Sequence, residues 1–237
     1  MRHLLSLIEN RNAFKINNML VIFLMFALTF VAGCFPERKF QDNRFTSSYP
    51  KVSINLGEDF QYLGTDTYSS KGFDSSQTVF HYGQITHEFY FLIPVKTEKR
   101  TIKKGVLIMF STIQPGWHYY GQLRDIANRQ DVFDYGIKSI GGHEYEYISA
   151  YNQRLDKYIV NWLNQKGYIL PRCLLTRVFY RMSASNLTER IVYIEDATAS
   201  DFECAKWGDK LKLIDEQKKY IDTFAVRADK VLQFNNP

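Results

Sequence analysis

The hydrophobic residues between positions 51 and 113 recur at the spacing of β-strands. Val52, Ile54 and Leu56 alternate with polar residues, which places every second side chain on a buried face. Three further strands are predicted, at residues 78–82, 87–95 and 105–113. The last of these is almost continuously apolar, so we expect it near the centre of a sheet and covered on both sides.

Two polar stretches interrupt this strand pattern. Residues 65–76 are rich in Ser, Thr, Asp and Gly and predict a loop. Residues 96–104 hold five basic residues and one acidic residue, and they predict the tip of a hairpin. Such a tip suits contact with anionic lipid headgroups, but a solvated turn is the simpler interpretation and the one we adopt.

Helical spacing appears in the second half of the chain. Leu155, Ile159, Trp162 and Leu163 share one helix face, and Gly167 marks its end. The final segment, residues 209–234, predicts a long amphipathic helix. Its apolar stripe consists of Leu211, Ile214, Ile221, Ala225, Ala228 and Leu232, interrupted by Lys218. A coiled-coil partner would fit this stripe, but we expect it to pack on the protein's own sheet.

Between and beyond these helices the pattern returns to strands. Turn-forming Gly136 and the pair Gly141-Gly142 accompany a strand-like stretch at residues 145–148. A hairpin is predicted from strands at 174–182 and 189–195. The prediction is therefore an α+β fold, mainly an antiparallel sheet with a middle amphipathic helix and a long C-terminal helix.

The beginning of the chain has a different pattern. Residues 19–32 form an apolar run without charge, which follows Arg2, Arg11 and Lys15 and ends in the small residues Ala32 and Gly33. A basic region, an apolar region and small residues are the three parts of a secretory signal. The apolar run with its flanks reaches only about 25 Å as a helix, short of the ~30 Å needed to span a bilayer. A retained membrane anchor or a buried helix is therefore a weaker interpretation.

The four residues Val31-Ala32-Gly33-Cys34 resemble the lipobox of bacterial lipoproteins. The resemblance covers the first 34 residues only. It implies removal of residues 1–33 as a signal peptide and attachment of diacylglycerol and a further acyl chain, such as palmitate, at Cys34. Several acyl chains together hold a protein firmly on a membrane.

The resemblance also implies a location and a domain organisation. In Gram-negative lipoproteins an Asp after the cysteine commonly signals retention in the inner membrane, and here the residue is Phe35. We therefore expect a lipid-anchored protein of the cell membrane, in the outer membrane if the source is Gram-negative. Residues 34–50 are predicted to be the lipidated cysteine and a flexible tether spanning about 20–25 Å, and residues 51–237 a single domain.

Charge and cysteine content narrow the class of partner. Residues 1–33 contain three of the 30 Lys and Arg residues and one of the 25 Asp and Glu residues, so the remainder carries a formal charge of about +3. This gives no reason to propose nucleic acid as a partner.

Cys173 and Cys204 are predicted to form a disulfide, because an exported protein meets oxidising conditions. Two buried thiols are the alternative.

The motifs of common enzyme sites are missing. No nucleophile turn of the G-x-S-x-G type, no phosphate-binding loop and no dinucleotide fingerprint occurs, so we predict no cofactor and no catalytic residue. His81, His87 and His143 lack the spacing of a zinc site, and no metal is predicted. Glu144 and Glu146 share one strand face and are the residues of interest if the protein is an enzyme.

The best candidate for a binding surface is a cluster of aromatic residues between two glycines. It consists of Trp117, His118, Tyr119 and Tyr120. Rings with polar edges suit a sugar or a protein anchor, although a cover for the core is also consistent with them. The sequence thus predicts a non-enzymatic binding or structural lipoprotein with membrane lipid and an envelope protein or polymer as partners. The alternative is an envelope enzyme acting on cell-wall or sugar substrates.

Overall fold

The structure, a computed structural model, describes residues 36–57, 60–71, 84–97, 100–114, 123, 127–129, 131–151, 155–200 and 215–234. The chain divides into two units, residues 1–37 and 38–237. Only residues 36 and 37 of the first unit are described, so the secondary structure that follows belongs to the second.

Strands and helices in the described residues are as follows. The strands are β1 (Arg38–Gln41), β2 (Arg44–Ser48), β3 (Lys51–Leu56), β4 (Phe60–Lys71), β5 (Gln84–Pro94), β6 (Lys104–Ile113), β7 (Val132–Ile140), β8 (His143–Tyr151), β9 (Leu174–Ala184), β10 (Leu187–Asp196) and β11 (Leu232–Phe234). Helix α1 (Lys157–Gln165) lies between β8 and β9, and helix α2 (Asp215–Val231) leads directly into β11. A 3₁₀ turn (Ala197–Ser200) follows β10.

The strands form two antiparallel sheets. The large sheet has the order β4-β5-β6-β10-β9-β8-β7, and the small sheet has the order β1-β2-β3-β11. Neighbouring strands in both sheets are antiparallel. The predicted α+β class with a mainly antiparallel sheet is confirmed. The apolar strand β6 is third in the large sheet, with β5 and β10 on its two sides.

Side chains of the large sheet alternate between two faces, each with its own core. The small-sheet side carries the cross-strand row Tyr90, Ile108, Ile191, Phe179 and Tyr147. The α1 side carries the row Phe91, Leu107, Val192, Val178 and Ile148. Both rows are apolar in their inner strands, which is why these strands read as continuous hydrophobic runs in the sequence.

The small-sheet side is covered by the small sheet and by α2. Phe45 of β2 packs edge-on against Tyr90 of the large sheet, with 5.0 Å between the ring centroids. Phe224 of α2 lies 5.8 Å from Tyr193. The buried face of α2 is completed by residues at helical spacing from Phe224, namely Ile221, Ala228 and Val231.

The opposite side is covered by α1. The Asp156 side chain accepts a hydrogen bond from the Tyr158 backbone amide and caps the start of the helix. Trp162 packs edge-on against Phe89 at 5.1 Å between ring centroids, and Leu163 is fully buried. Gly167 follows the helix with a φ of +79°, a conformation that glycine adopts without strain.

The prediction of a flexible tether over residues 34–50 is wrong for residues 38–48. These residues form β1 and β2, which pair with each other and with β3. Their alternation is hard to see in the sequence because the inward positions include Arg38 and Ser47 beside Phe40 and Phe45. Only the aromatic half of the pattern is apolar, so the stretch resembles a polar linker.

Three further predictions need correction. The loop predicted at 65–76 is wrong as far as residue 71, because β4 extends to Lys71 as a strand at one edge of the large sheet. Gly136 lies inside β7 rather than in a turn. A Cβ atom added to Gly136 would come 2.7 Å from the Tyr147 hydroxyl, so this position requires glycine. The C-terminal helix ends at Val231, since Leu232–Phe234 pair with β3. Residues 72–76, the strand predicted at 78–82 and residues 209–214 lie outside the described residues.

The segment between β5 and β6 is more than a solvated turn. Ile102 is buried and donates its backbone N–H to the Ile169 carbonyl at 2.9 Å. Ile169 in turn donates its N–H to the Arg100 carbonyl at 2.9 Å. This part of the hairpin tip is therefore fixed to the segment that follows α1.

Candidate functional site

Several residues predicted from the sequence fall outside the described part of the chain. They are Cys34, Trp117, His118, Tyr119, Tyr120 and Cys204. Cys173 is described, buried and disulfide-bonded. Its predicted pairing with Cys204 stays a prediction.

The two carboxylates of β8 have different surroundings. Glu144 is exposed, whereas Glu146 is partly buried and accepts a hydrogen bond from the Leu123 backbone amide at 2.5 Å. Tyr145, between them in sequence, is buried on the small-sheet side. Glu144 and Glu146 therefore lie on one face of β8. The Glu146 carboxylate is occupied by its hydrogen bond to the Leu123 backbone.

The outer face of the small sheet is a polar groove with a cavity volume of about 480 Å³. Strand alternation builds it, because Phe45 and Ile54 point inward and leave their polar neighbours facing out. The outward residues that line the groove are Lys39, Gln41, Arg44, Thr46, Asn55 and Gln233. Gln41, Arg44, Asn55 and Gln233 are direct cross-strand neighbours, so one hydrogen-bonding row crosses all four strands.

The outward positions of this sheet carry positive charge. Lys39, Arg44 and Lys51 are all exposed. The Arg44 Nε atom donates to the Ser53 hydroxyl at 2.8 Å, which holds the guanidinium along the face. Asp42, in the turn between β1 and β2, is the acidic residue that lines the polar groove.

Arg38 fastens the first strand to the large sheet. Its side chain is only 7% exposed and forms an ion pair with Glu88 of β5. Its guanidinium lies 3.9 Å from the centre of the Phe110 ring and donates to the Tyr49 carbonyl at 3.0 Å. The chain is thus fixed to the body from residue 38 onward.

A buried ion pair lies beneath the small sheet. Glu189 is 0% exposed and is paired with Arg181 at 2.7 Å, while the Tyr145 hydroxyl donates to its other oxygen. Burial raises the pKa of the Glu189 carboxyl, and Arg181 and Tyr145 oppose that rise. Each Glu189 carboxylate oxygen accepts a hydrogen bond, one from Arg181 of β9 and one from Tyr145 of β8. We therefore assign Glu189 a structural role.

A second set of charged groups ties α2 to the large sheet. Glu195 accepts hydrogen bonds from Tyr220 at 2.6 Å and from Arg227 at 3.0 Å, both on α2. Arg177 of β9 is paired with Asp229 of α2 at 3.1 Å and with Asp134 of β7 at 2.7 Å. These contacts fix the helix against the sheet.

His87 lies in a short chain of hydrogen bonds at one end of the α1 side. Its Nε2 atom is 2.7 Å from the Ser70 hydroxyl, and its Nδ1 atom is 2.8 Å from the Ser111 hydroxyl. Tyr68 stacks on the ring at 4.7 Å. Burial lowers the pKa of His87 to about 4, and the charge of Arg190 adds to the effect. The imidazole is therefore neutral at pH 7.

Apolar side chains are exposed where the large sheet ends at β7. Ile137 is 63% exposed, and Tyr135 and Met182 are also exposed on the same, α1 side of the sheet. These residues surround the partly buried Glu146, which is the cross-strand partner of Ile137. Such a mixed surface is typical of a contact site for another molecule.

No group of three or more His, Cys, Asp or Glu side chains within the described ranges is arranged to hold a metal ion. Among the helices of those ranges, neither is long and apolar enough to cross a membrane.

Comparison with known proteins gives no relative for this chain. No family model, no curated protein and no solved structure matches it.

The sequence pattern does not predict the polar groove, because its first two strands resemble a tether. The signal was present as the alternation of Arg38, Phe40 and Phe45 with polar residues. The His87 chain had no local signal, since Ser70, His87 and Ser111 come from three separate strands. Only strand pairing brings those three together.

Proposed function

We propose that this chain is a lipid-anchored lipoprotein of the cell envelope, whose body is a non-enzymatic binding or structural module. The observation that carries the proposal is Val31-Ala32-Gly33-Cys34 at the end of an uncharged apolar run. Cys34 bears the diacylglycerol and is the first residue of the mature chain. Phe35 in place of Asp favours the outer membrane if the source is Gram-negative.

The architecture of the body supports a binding or structural role. Its strongly buried charges, such as Glu189 and Glu195, are held by neighbouring strands and by α2. In this proposal the middle amphipathic helix and the long C-terminal helix predicted from the sequence correspond to α1 and α2, the covers of the two faces. An envelope protein or polymer is the partner, and the exposed apolar surface around Ile137 supports this class.

The test is an intact mass measurement of the protein extracted from membranes, alongside a Cys34→Ala variant. We expect the natural protein to lack residues 1–33 and to carry added acyl chains, because lipidation precedes removal of the signal. The Cys34→Ala variant should lack the lipid and the cleavage between Gly33 and Cys34. An unmodified full-length chain recovered from the cytosol would contradict the proposal.

A matched variant tests the location. Phe35→Asp leaves Cys34 and the preceding small residues intact, so the acylated mass should change only by the substitution. In a Gram-negative source we expect this variant to move from the outer to the inner membrane. An unchanged distribution would count against sorting by residue 35.

The second candidate is an envelope enzyme acting on cell-wall or sugar substrates. The observation that favours it is the contact between Ser70 and His87, since a serine beside an imidazole is the core of acyl-transfer sites. Against it, the other ring nitrogen meets the Ser111 hydroxyl instead of a carboxylate. A base whose pKa is about 4 is also weak at neutral pH.

A fluorophosphonate probe separates the two candidates. An activated serine reacts with such a probe, and labelling would be located at Ser70 by peptide mapping and lost in His87→Gln. We expect no labelling of Ser70 in the natural protein. Labelling at that residue that depends on His87 would replace the binding-module proposal with the enzyme.

A further inference from the structure

We infer that the polar groove on the outer face of the small sheet rests on the membrane that carries the anchor and binds the phosphate groups of anionic lipids there. This inference depends on the proposed lipidation of Cys34. It adds the orientation of the body and a second, electrostatic contact with the bilayer. The contact residues in the groove are Lys39 and Arg44, with polar Gln41, Asn55 and Gln233 beside them. Lys51, at the other end of β3, lies outside the groove on the same outward face.

The first argument is the length of chain between the lipid and the body. Arg38 is fixed to the large sheet through Glu88 and Phe110. Three residues lie between Arg38 and Cys34, so the two Cα atoms are four steps apart and, at about 3.3–3.6 Å per step, at most about 14 Å from each other. The predicted tether of about 20–25 Å would have lifted the body away from the bilayer. The much shorter connection keeps β1 close to the headgroups.

The second argument is the charge of the face that begins at β1. Its exposed outward positions include Lys39, Arg44 and Lys51, and the acidic residue lining the groove is Asp42 in a turn at its end. Each basic residue near an anionic surface strengthens membrane attraction about five-fold at physiological salt. The attraction falls off over a Debye length of about 8 Å, and a connection of at most about 14 Å allows β1 to come within that distance of the headgroups.

The third argument is the chemistry of the surface between these charges. The outward row of Gln41, Arg44, Asn55 and Gln233 supplies N–H donors across four strands. Amide and guanidinium N–H groups donate to phosphate oxygens, and a guanidinium is suited to two of them at once. The lining of the groove is mostly polar, which suits a phosphate group better than a hydrophobic ligand.

The experiment measures the chemical modification of lysines on the acylated protein reconstituted in vesicles. One set of vesicles contains phosphatidylglycerol and phosphatidylcholine in equal amounts, and the other contains phosphatidylcholine alone. A lysine-acylating reagent is added, and the rates at Lys39, Lys51 and Lys157 are read by peptide mass. Lys157 is exposed on α1, which covers the opposite side of the large sheet, and serves as the internal control.

We expect Lys39 and Lys51 to react at least about three-fold more slowly on anionic vesicles than on neutral ones, with Lys157 unchanged. Equal rates on both kinds of vesicle would overturn the inference. Protection seen only in native envelope fractions would also overturn it, because it would assign the face to an envelope polymer or protein. Failure of the protein to float with either kind of vesicle would instead show that the lipid anchor is absent.

Charge-reversal variants give an independent measurement. The variant Lys39→Glu/Arg44→Glu/Lys51→Glu changes three exposed side chains and should fold. Because Lys39 and Lys51 are absent from it, the readout is the fluorescence of a headgroup dye that reports local anionic lipid. We expect the enrichment of anionic lipid around the natural protein to fall by at least about five-fold. The control Lys157→Glu/Lys218→Glu/Lys219→Glu has the same net charge and should keep the enrichment; equal losses in both variants would overturn the inference.

Discussion

The two faces of the large sheet are both buried, but they are filled in different ways. The small-sheet side contains Arg177, Arg181, Glu189 and Glu195 among its aromatic residues. The α1 side is apolar along its centre, and its buried polar groups include the hydroxyls of Ser111, Thr176 and Thr188. The two sides differ because different elements cover them. Helix α2 and strand β1 supply charged side chains that pair with the large sheet. Helix α1 instead buries Ile159, Trp162 and Leu163.

The charges on the small-sheet side join the large sheet to the elements that cover it. An ion pair such as Arg177–Asp229 joins a strand of the large sheet to α2, and the Arg38–Glu88 pair joins β1 to β5. Apolar contacts tolerate sliding between two packed layers, but paired charges are satisfied in one arrangement. We therefore expect the ion pairs to fix the positions of the small sheet and α2 on the large sheet. Burying these charges costs some stability, because they lose their hydration. The α1 side contributes through hydrophobic burial.

The largest expected effect comes from breaking the buried pair on the small-sheet side. Glu189→Ala leaves Arg181 buried without its partner and should lower the free energy of unfolding by about 3–5 kcal/mol. Urea denaturation at pH 7 measures the change. A loss below about 1 kcal/mol would show that the pair is solvated in solution.

Two control variants isolate the charge effect. Replacing both partners, in Arg181→Met/Glu189→Leu, removes the unpaired charge and should recover most of the loss. The exposed pair of Asp215 and Lys218 on α2, 3.6 Å apart, should respond much less. We expect Asp215→Ala to change stability by no more than about 0.5 kcal/mol.

The next effect concerns the apolar side. Leu163→Ala removes a fully buried side chain from α1 and should lower the free energy of unfolding by about 2–4 kcal/mol, through lost burial and the cavity left behind. The exposed neighbour Asn161→Ala is the control and should stay within about 0.5 kcal/mol. The losses from Leu163→Ala and Glu189→Ala should add in the double variant, because the two sites lie on opposite faces. A strongly non-additive result would contradict the independence of the two faces.

The smallest effect is a pH dependence at the end of the α1 side. The pKa of His87 is about 4 in the folded protein, against an ordinary value near 6.5, so the unfolded chain binds a proton that the folded protein excludes. The contribution of His87 to the free energy of unfolding is therefore complete above pH 6.5 and is lost as the pH falls toward 4. The full shift corresponds to about 3 kcal/mol, which solvent screening at this half-buried site reduces to about 1–2 kcal/mol.

The comparison of natural protein and His87→Gln from pH 7 to pH 4 measures this effect. The difference in unfolding free energy between the two proteins cancels the contributions of the carboxyl groups. We expect the natural protein to lose about 1–2 kcal/mol relative to the variant across that range. Parallel curves of unfolding free energy against pH would show that His87 has the same pKa in the folded and the unfolded protein. The exposed His143→Gln variant should keep most of the dependence.

The sequence predicted those parts of the fold whose pattern is local. Strand β3 follows from the alternation of Val52, Ile54 and Leu56, and β6 from its continuous apolar run. By contrast, β4 is polar because it lies at the edge of the sheet, so its Ser, Thr and Asp residues resembled a loop. Strand β1 was missed because an arginine occupies one of its buried positions. Whether an arginine is buried depends on a partner 50 residues away.

The resemblance of Val31-Ala32-Gly33-Cys34 to a lipobox, the α+β class and the strong strands can be read from the sequence alone, because each depends on residues that are neighbours in the chain. Tertiary structure alone decided that residues 38–48 belong to the body, that charges line one face of the large sheet, and that Lys39 and Arg44 share a groove. Those features arise from pairing between distant segments. Burial and charge pairing are properties of contacts, and a linear pattern does not specify which contacts form.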